Sequence, residues 1–122
     1  MAWPDELAIQ LQLGPRSRRY IAPLEVGGDV TLEMVADPNS LRSVISERAW
    51  ASLIMRGLAS PIDQPRSCAL RDLQIQGQAI PDLEVLVSSV VGSIDGILGL
   101  DFFRNYRTIE FDTRVFRIIM SK

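Results

Sequence analysis

The sequence predicts a mostly β domain with two short helices, and three observations carry that expectation. Leu7, Ile9, Leu11 and Leu13 alternate with Gln10 and Gln12, the period-two pattern of a half-buried strand. Gly27-Gly28-Asp29 sits between two apolar runs, 20–26 and 30–35, which is a strong hairpin signal. One stretch, 46–57, carries helical spacing between recognisable caps: Ser46 is a natural N-cap and Gly57 a natural stop.

The elements follow in order. Gly14-Pro15 breaks the first strand. The glycine hairpin joins the second strand to a third, which ends in Asp37-Pro38-Asn39-Ser40. In the helix that follows, Trp50, Leu53 and Ile54 share one face. Residues 59–66 contain Pro61 and Pro65 and read as an exposed loop. Strand pattern resumes with Leu70, Leu73 and Ile75 around Gly77 and continues over 83–91. The run 94–100 is apolar but punctuated by Gly96 and Gly99; Asp101 then caps a short helix over 102–106. A closing hairpin pairs 108–111 with 115–119 across Asp112-Thr113-Arg114. Leu24-Glu25-Val26-Gly27-Gly28 and Leu73-Gln74-Ile75-Gln76-Gly77 echo one another, and each leads into an apolar strand, a loop and a short helix. Either two similar halves or the shared vocabulary of β proteins explains this.

At 122 residues, 47% of them hydrophobic, residues 1–122 form one domain with a core of its own. The net charge of −2 leaves no basic excess for nucleic acid, and the cluster Arg16, Arg18 and Arg19 reads as a solvated turn. The chain has no histidine, which removes Ser-His-Asp, Cys-His and nearly all zinc chemistry; no metal or other cofactor is expected. The single cysteine, Cys68, allows no internal disulfide and fits a reducing, cytoplasmic compartment. No segment approaches a membrane span, and direct membrane insertion is not expected. If the chain is an enzyme, carboxylates must do the chemistry. Asp37 is the candidate, since an apolar strand delivers it onto a stiff polar turn.

The run Ile97-Leu98-Gly99-Leu100-Asp101-Phe102-Phe103, followed by a short helix and a strand ending in Asp112, resembles the C-terminal signature of retropepsin-like aspartic proteases. Upstream, the glycine hairpin, the apolar strand and Asp37-Pro38-Asn39-Ser40-Leu41-Arg42-Ser43-Val44-Ile45-Ser46 resemble that family's Asp-Thr-Gly half, without a gap. Together they cover about residues 20–119.

The resemblance implies a retropepsin-like closed β-barrel, the acid protease fold. It further implies a homodimer in which each subunit gives one acid, Asp37, to a dyad. Two carboxylates side by side cannot both ionise, so they share a proton. One activates water while the other protonates the peptide carbonyl. By the same resemblance Pro38, Asn39, Ser40, Ile97 and Leu98 contact an extended peptide or protein ligand. Ser43 and Asp101 brace the acid's loop, and 59–68 stands in the place of the flap. The two terminal strands are expected to contribute to a dimer sheet.

The family's Thr-Gly is here Pro38-Asn39. Pro38 has neither the hydroxyl nor the N–H that would lock two such loops across a two-fold axis. Asn39 tolerates unusual φ but adds a side chain where glycine leaves room. The flap segment also lacks a glycine-rich tip. Three functions follow: a homologue whose peptidase activity is weak or lost, an active homodimeric aspartic endopeptidase, or a non-catalytic dimerisation or peptide-binding module of a larger protein.

Overall fold

The computed structural model describes residues 1–14, 19–89 and 94–122. Arg16 and Arg18 of the basic cluster, and the end of the strand expected over 83–91, lie outside the described residues.

Thirteen strands and two helices are described. They are β1 (Glu6–Gln10), β2 (Gln12–Leu13), β3 (Tyr20–Val26), β4 (Val30–Ala36), β5 (Val44–Ser46) and α1 (Glu47–Met55). Then come β6 (Ala59–Pro61), β7 (Ser67–Leu70), β8 (Leu73–Ile75), β9 (Gln78–Ile80) and β10 (Leu83–Ser88). The chain closes with β11 (Gly96–Leu98), α2 (Leu100–Phe103), β12 (Thr108–Asp112) and β13 (Arg117–Ser121). The long sheet runs β6-β7-β10-β5-β11-β4-β3-β8-β9, with β2 added against β3, and curls into a half-barrel. A smaller sheet, β1-β13-β12, pairs both termini within one chain and packs Leu7, Ile9, Ile118 and Met120 onto the same core.

The centre of the long sheet has an internal two-fold. β5 and β11 run antiparallel, Gly96 opposite Ile45 and Ile97 opposite Val44. Each is flanked by a parallel partner from the other half: β4 beside β11 with Met34 opposite Gly96, and β10 beside β5 with Leu86 opposite Val44. Met34 and Leu86, and Val44 and Gly96, are each 52 positions apart (86 − 34 and 96 − 44), so both loop segments between the strands have one length. The echoed glycine turns lie in hairpins β3–β4 and β8–β9, and β3 pairs with β8.

Local chemistry explains most boundaries. The Ser46 hydroxyl accepts the Ala49 N–H at 3.1 Å and caps α1. At the other end Gly57, at φ +72°, lets its N–H reach Ile54 O and the Leu58 N–H reach Leu53 O, a Schellman closure. Leu53 and Ala49 are the buried residues of α1, with Trp50 half-buried and Ile54 36% exposed, so the inward stripe is narrower than Trp50, Leu53 and Ile54 suggest.

Four expectations change. The strand over 7–13 splits at Leu11, whose N–H donates to Phe116 O while the chain passes from the small sheet to the long one. Residues 59–66 are not simply loop: β6 and β7 form a hairpin, because an edge strand tolerates Pro61 with no outward N–H to donate. The last strand starts later than expected, at Arg117, since the turn carries Phe116 at φ +53° and an Asp112 carboxylate that accepts the Arg114 N–H. The second helix starts at Leu100, so Asp101 sits inside its first turn; Gly99 is the N-cap and supplies no side-chain bond.

Replacing the α1 cap tests this local reading. Ser46→Ala removes one satisfied N–H and is expected to cost about 1 kcal/mol. The melting temperature should fall by roughly 3–6 °C, measured by circular dichroism.

Candidate active site

β4 ends at Ala36 and hands the chain to Asp37. The Asp37 N–H donates to Leu98 O at 3.0 Å, which ties the turn to the end of β11. Asp37 O accepts the Ser40 N–H at 3.1 Å, and carboxylate Oδ1 accepts the Asn39 N–H at 3.0 Å. This is an Asx turn: the acid closes a ring with its own backbone. Asp37 is half-buried, whereas Pro38 and Asn39 are exposed. The Ser40 hydroxyl turns back to Arg42 O at 3.1 Å, so it serves the loop itself.

The far side of the loop is fastened by one buried hydroxyl. Ser43 has no exposed surface, and its Oγ donates to Asp101 Oδ1 at 2.6 Å. The same Oγ accepts the Gly99 N–H at 3.0 Å. The Ser43 N–H adds a fork to both Asp101 oxygens, 3.0 Å each. Arg42 Nε lies 3.7 Å from Asp101 Oδ2 and supplies the compensating charge. Gly99 is the close-packed point of the junction: a Cβ there would stand 2.6 Å from Ser40 O and 2.7 Å from Arg42 backbone atoms. The Leu100 N–H completes the clamp by donating to Ser40 O at 2.6 Å.

Beside the turn, one face of the long sheet carries a row of apolar side chains. Directly opposed pairs put Ile21, Val35, Ile97, Val44 and Leu86 on that face, in line across β3, β4, β11, β5 and β10. Ile97, Val44 and Leu86 are half-buried there. Leu98 is one residue out of phase and points into the core with 0% exposure, so no ligand reaches it. The expectation that Leu98 joins Ile97 in lining a cleft is therefore corrected by strand alternation. The same alternation, applied across strands, would have marked Val44 and Leu86.

The hairpin β6–β7 stands beyond β10, two strands from β5, with its tip toward Val87. Its tip is tethered: Arg66 Nε donates to Val87 O at 3.2 Å, and the Val87 N–H donates back to Arg66 O at 2.8 Å. The Arg66 guanidinium also pairs with Glu47 in the first turn of α1. Cys68 is fully buried, and burial pushes its thiol up to about 11, so it stays protonated and unreactive near neutral pH. Among the described residues no group of three or more Cys, Asp or Glu is placed to hold a metal, and no helix is long and apolar enough to cross a membrane.

No family model and no curated protein matches the chain. Solved structures do. A retropepsin-like aspartic protease from Rickettsia conorii matches with a TM-score of 0.63 at 14% identity, covering 94% of this chain and 88% of that one. The retroviral protease-like domain of Ddi1 from Leishmania major matches at 0.58 and 16%, covering 79% and 81%. At such identities the likeness establishes the fold: this chain has the retropepsin-like architecture.

The clamp gives two stability predictions. Ser43→Ala strips a charged acceptor of its buried hydroxyl partner and should cost about 2 kcal/mol. Gly99→Ala forces a Cβ against fixed backbone and should cost about 3 kcal/mol. Urea denaturation of both variants measures this; costs below about 0.5 kcal/mol would mean the junction bears no strain.

Proposed function

We propose that this protein is a homodimeric, peptide-binding domain of the retropepsin fold, with the Asp37 turns of two subunits facing one another and peptide hydrolysis weak or lost. The observation that supports this most is the Asx turn itself. One Asp37 oxygen is engaged by the Asn39 N–H. Pro38, next in line, has no hydroxyl and no N–H to reach across a two-fold axis. Asn39 is exposed on the side from which a ligand would come, and its side chain occupies room that glycine would leave. In this reading Ser43 and Asp101 brace the loop, Ile97 contacts ligand alongside Val44 and Leu86, and β6–β7 is a short flap. Extended peptide binds by main-chain hydrogen bonds along the cleft, with its side chains on the apolar face.

One observation favours the second reading, an active endopeptidase. The clamp of Ser43, Gly99 and Asp101 holds the acid at a fixed place on β11, as a catalytic pair would require. One Asp37 from each chain would then divide the roles of base and acid.

Cleavage of a broad peptide library between pH 3 and 7 separates the two. The expected result is that the unmodified protein cleaves no faster than Asp37→Asn. Pro38→Thr/Asn39→Gly should gain at least about tenfold, and adding Asp37→Asn should abolish the gain. Brisk cleavage by the unmodified chain, lost in Asp37→Asn, would establish the active enzyme instead. Sedimentation should report a dimer in both the unmodified protein and Asp37→Asn.

A further inference from the structure

Asp37–Pro38 is the only Asp–Pro bond in the chain, and the acid turn wraps around it. The ring closed by the Asn39 N–H on Asp37 Oδ1, at 3.0 Å, runs through that peptide bond, so the carboxyl group is folded back over it. The other oxygen, Oδ2, has no hydrogen-bond partner among the described residues. The carbonyl of the same bond is engaged, since Asp37 O accepts the Ser40 N–H at 3.1 Å. The Asp37 N–H on Leu98 O, at 3.0 Å, holds the residue in its turn. β11, Gly96–Leu98, brings no charge to this place, and Arg42, the loop's other charged side chain, is paired with Asp101 at 3.7 Å. Pro38 and Asn39 are exposed, so water and acid reach the bond.

Each of these contacts has a chemical use. An X–Pro bond is a tertiary amide, and its nitrogen, once protonated, leaves as a secondary amine. A carboxylate is a nucleophile able to form a covalent intermediate, and one held beside its target acts at high effective concentration. An N–H on the carbonyl oxygen stabilises the charge that develops there as the carbon becomes tetrahedral.

We propose that Asp37 cuts its own chain in acid, releasing residues 38–122 from residues 1–37. Asp37 Oδ2 adds to the carbonyl carbon of its own residue, and the C=O electrons move onto Asp37 O, facing the Ser40 N–H. As that oxyanion collapses the C–N bond breaks; its electron pair stays on the Pro38 nitrogen, which takes a proton from the solution. The first piece then ends at Asp37 in a cyclic anhydride of the succinic type, and water opens it to two carboxyl groups. The sum is hydrolysis of one peptide bond, with nothing oxidised or reduced. The pieces stay interlocked, because β1 pairs with β13, β4 with β11 and β3 with β8 across the cut. Cleavage therefore leaves the domain assembled and frees the Pro38-Asn39 tip from the acid, an irreversible change at the turn that presents it. It needs neither a partner subunit nor a bound peptide and does not rest on the reading above.

Mass spectrometry of the full chain under denaturing conditions tests this. The protein is held at pH 3, or at the lowest pH where its circular dichroism is still native, and in parallel at pH 7. The expected products in acid are residues 1–37 and 38–122, their masses summing to one water more than the intact chain, while the chain stays whole at pH 7. The folded protein should cut at least tenfold faster than a capped peptide of residues 33–43 at the same pH. Asp37→Asn and Pro38→Ala should each slow the cut at least tenfold. Asn39→Pro, which removes the N–H that closes the ring, should bring it down to the peptide's rate. Mixed with the unmodified protein, Asp37→Asn should stay whole, since the attack is within one chain. Equal rates at the two pH values, a folded rate no higher than the peptide's, or an undiminished rate in any of the three variants would overturn the proposal. Cutting of Asp37→Asn by the unmodified protein would overturn it too, and would mark a peptidase acting between chains instead.

Discussion

The bond between the Ser43 hydroxyl and the Asp101 carboxylate is the contact on which the acid turn depends. It joins residues 58 positions apart, one at the mouth of β5 and one in the first turn of α2. The loop 37–43 is also held by backbone bonds at Asp37, Ser40 and Ser43, but only this bond ties its far end to α2 through a side chain that is wholly buried. With it, a single buried oxygen donates to Asp101 and accepts from Gly99, and the backbone of Ser43 doubles the hold. Bonds from a buried hydroxyl to a charged acceptor are among the stronger ones available to a small domain. The absence of a Cβ at Gly99 lets the two segments close to that distance.

That clamp and the tip of the turn are under different demands. The clamp serves the fold and would be needed whether or not peptides are cut. The tip, Pro38-Asn39, is exposed, and its side chains belong to no part of the buried core. A chain can therefore keep the architecture while the chemistry at its apex changes, because activity belongs to the site and not to the scaffold. The tethered hairpin fits the same division. Its ion pair with Glu47 is exposed and worth under about 1 kcal/mol, so the two bonds between Arg66 and Val87 are the firmer part of the tether.

Much of this was legible in the sequence because the deciding interactions are local. The Ser46 cap and the Gly57 stop fix α1 from within five residues of either end. Gly27-Gly28 and Gln76-Gly77 take positive φ and turn their hairpins alone. The pattern Ile97-Leu98-Gly99-Leu100-Asp101 carried enough to suggest the architecture that the solved structures share. What was illegible is non-local. Pro61 looks like a breaker until β7 is known to lie on only one side of it. Asp101 reads as a cap from its neighbours alone; only the family resemblance pointed to Ser43, its partner just ahead of β5. Ile97 and Leu98 are alike in composition, and only the register against β4 and β5 shows which faces outward. Leu11 keeps the alternation yet breaks the strand, because its N–H is taken by Phe116 more than a hundred residues away.

The central claim is geometric, that two copies of this chain meet acid to acid. The most direct measurement is a crystal structure of the protein in the oligomeric state it adopts in solution. The account predicts a two-fold dimer with the two Asp37 carboxylates about 3 Å apart, the separation at which such groups share a proton. A monomer, or a dimer with those carboxylates more than about 10 Å apart and open to bulk water, beyond a Debye length at ordinary salt, would contradict it.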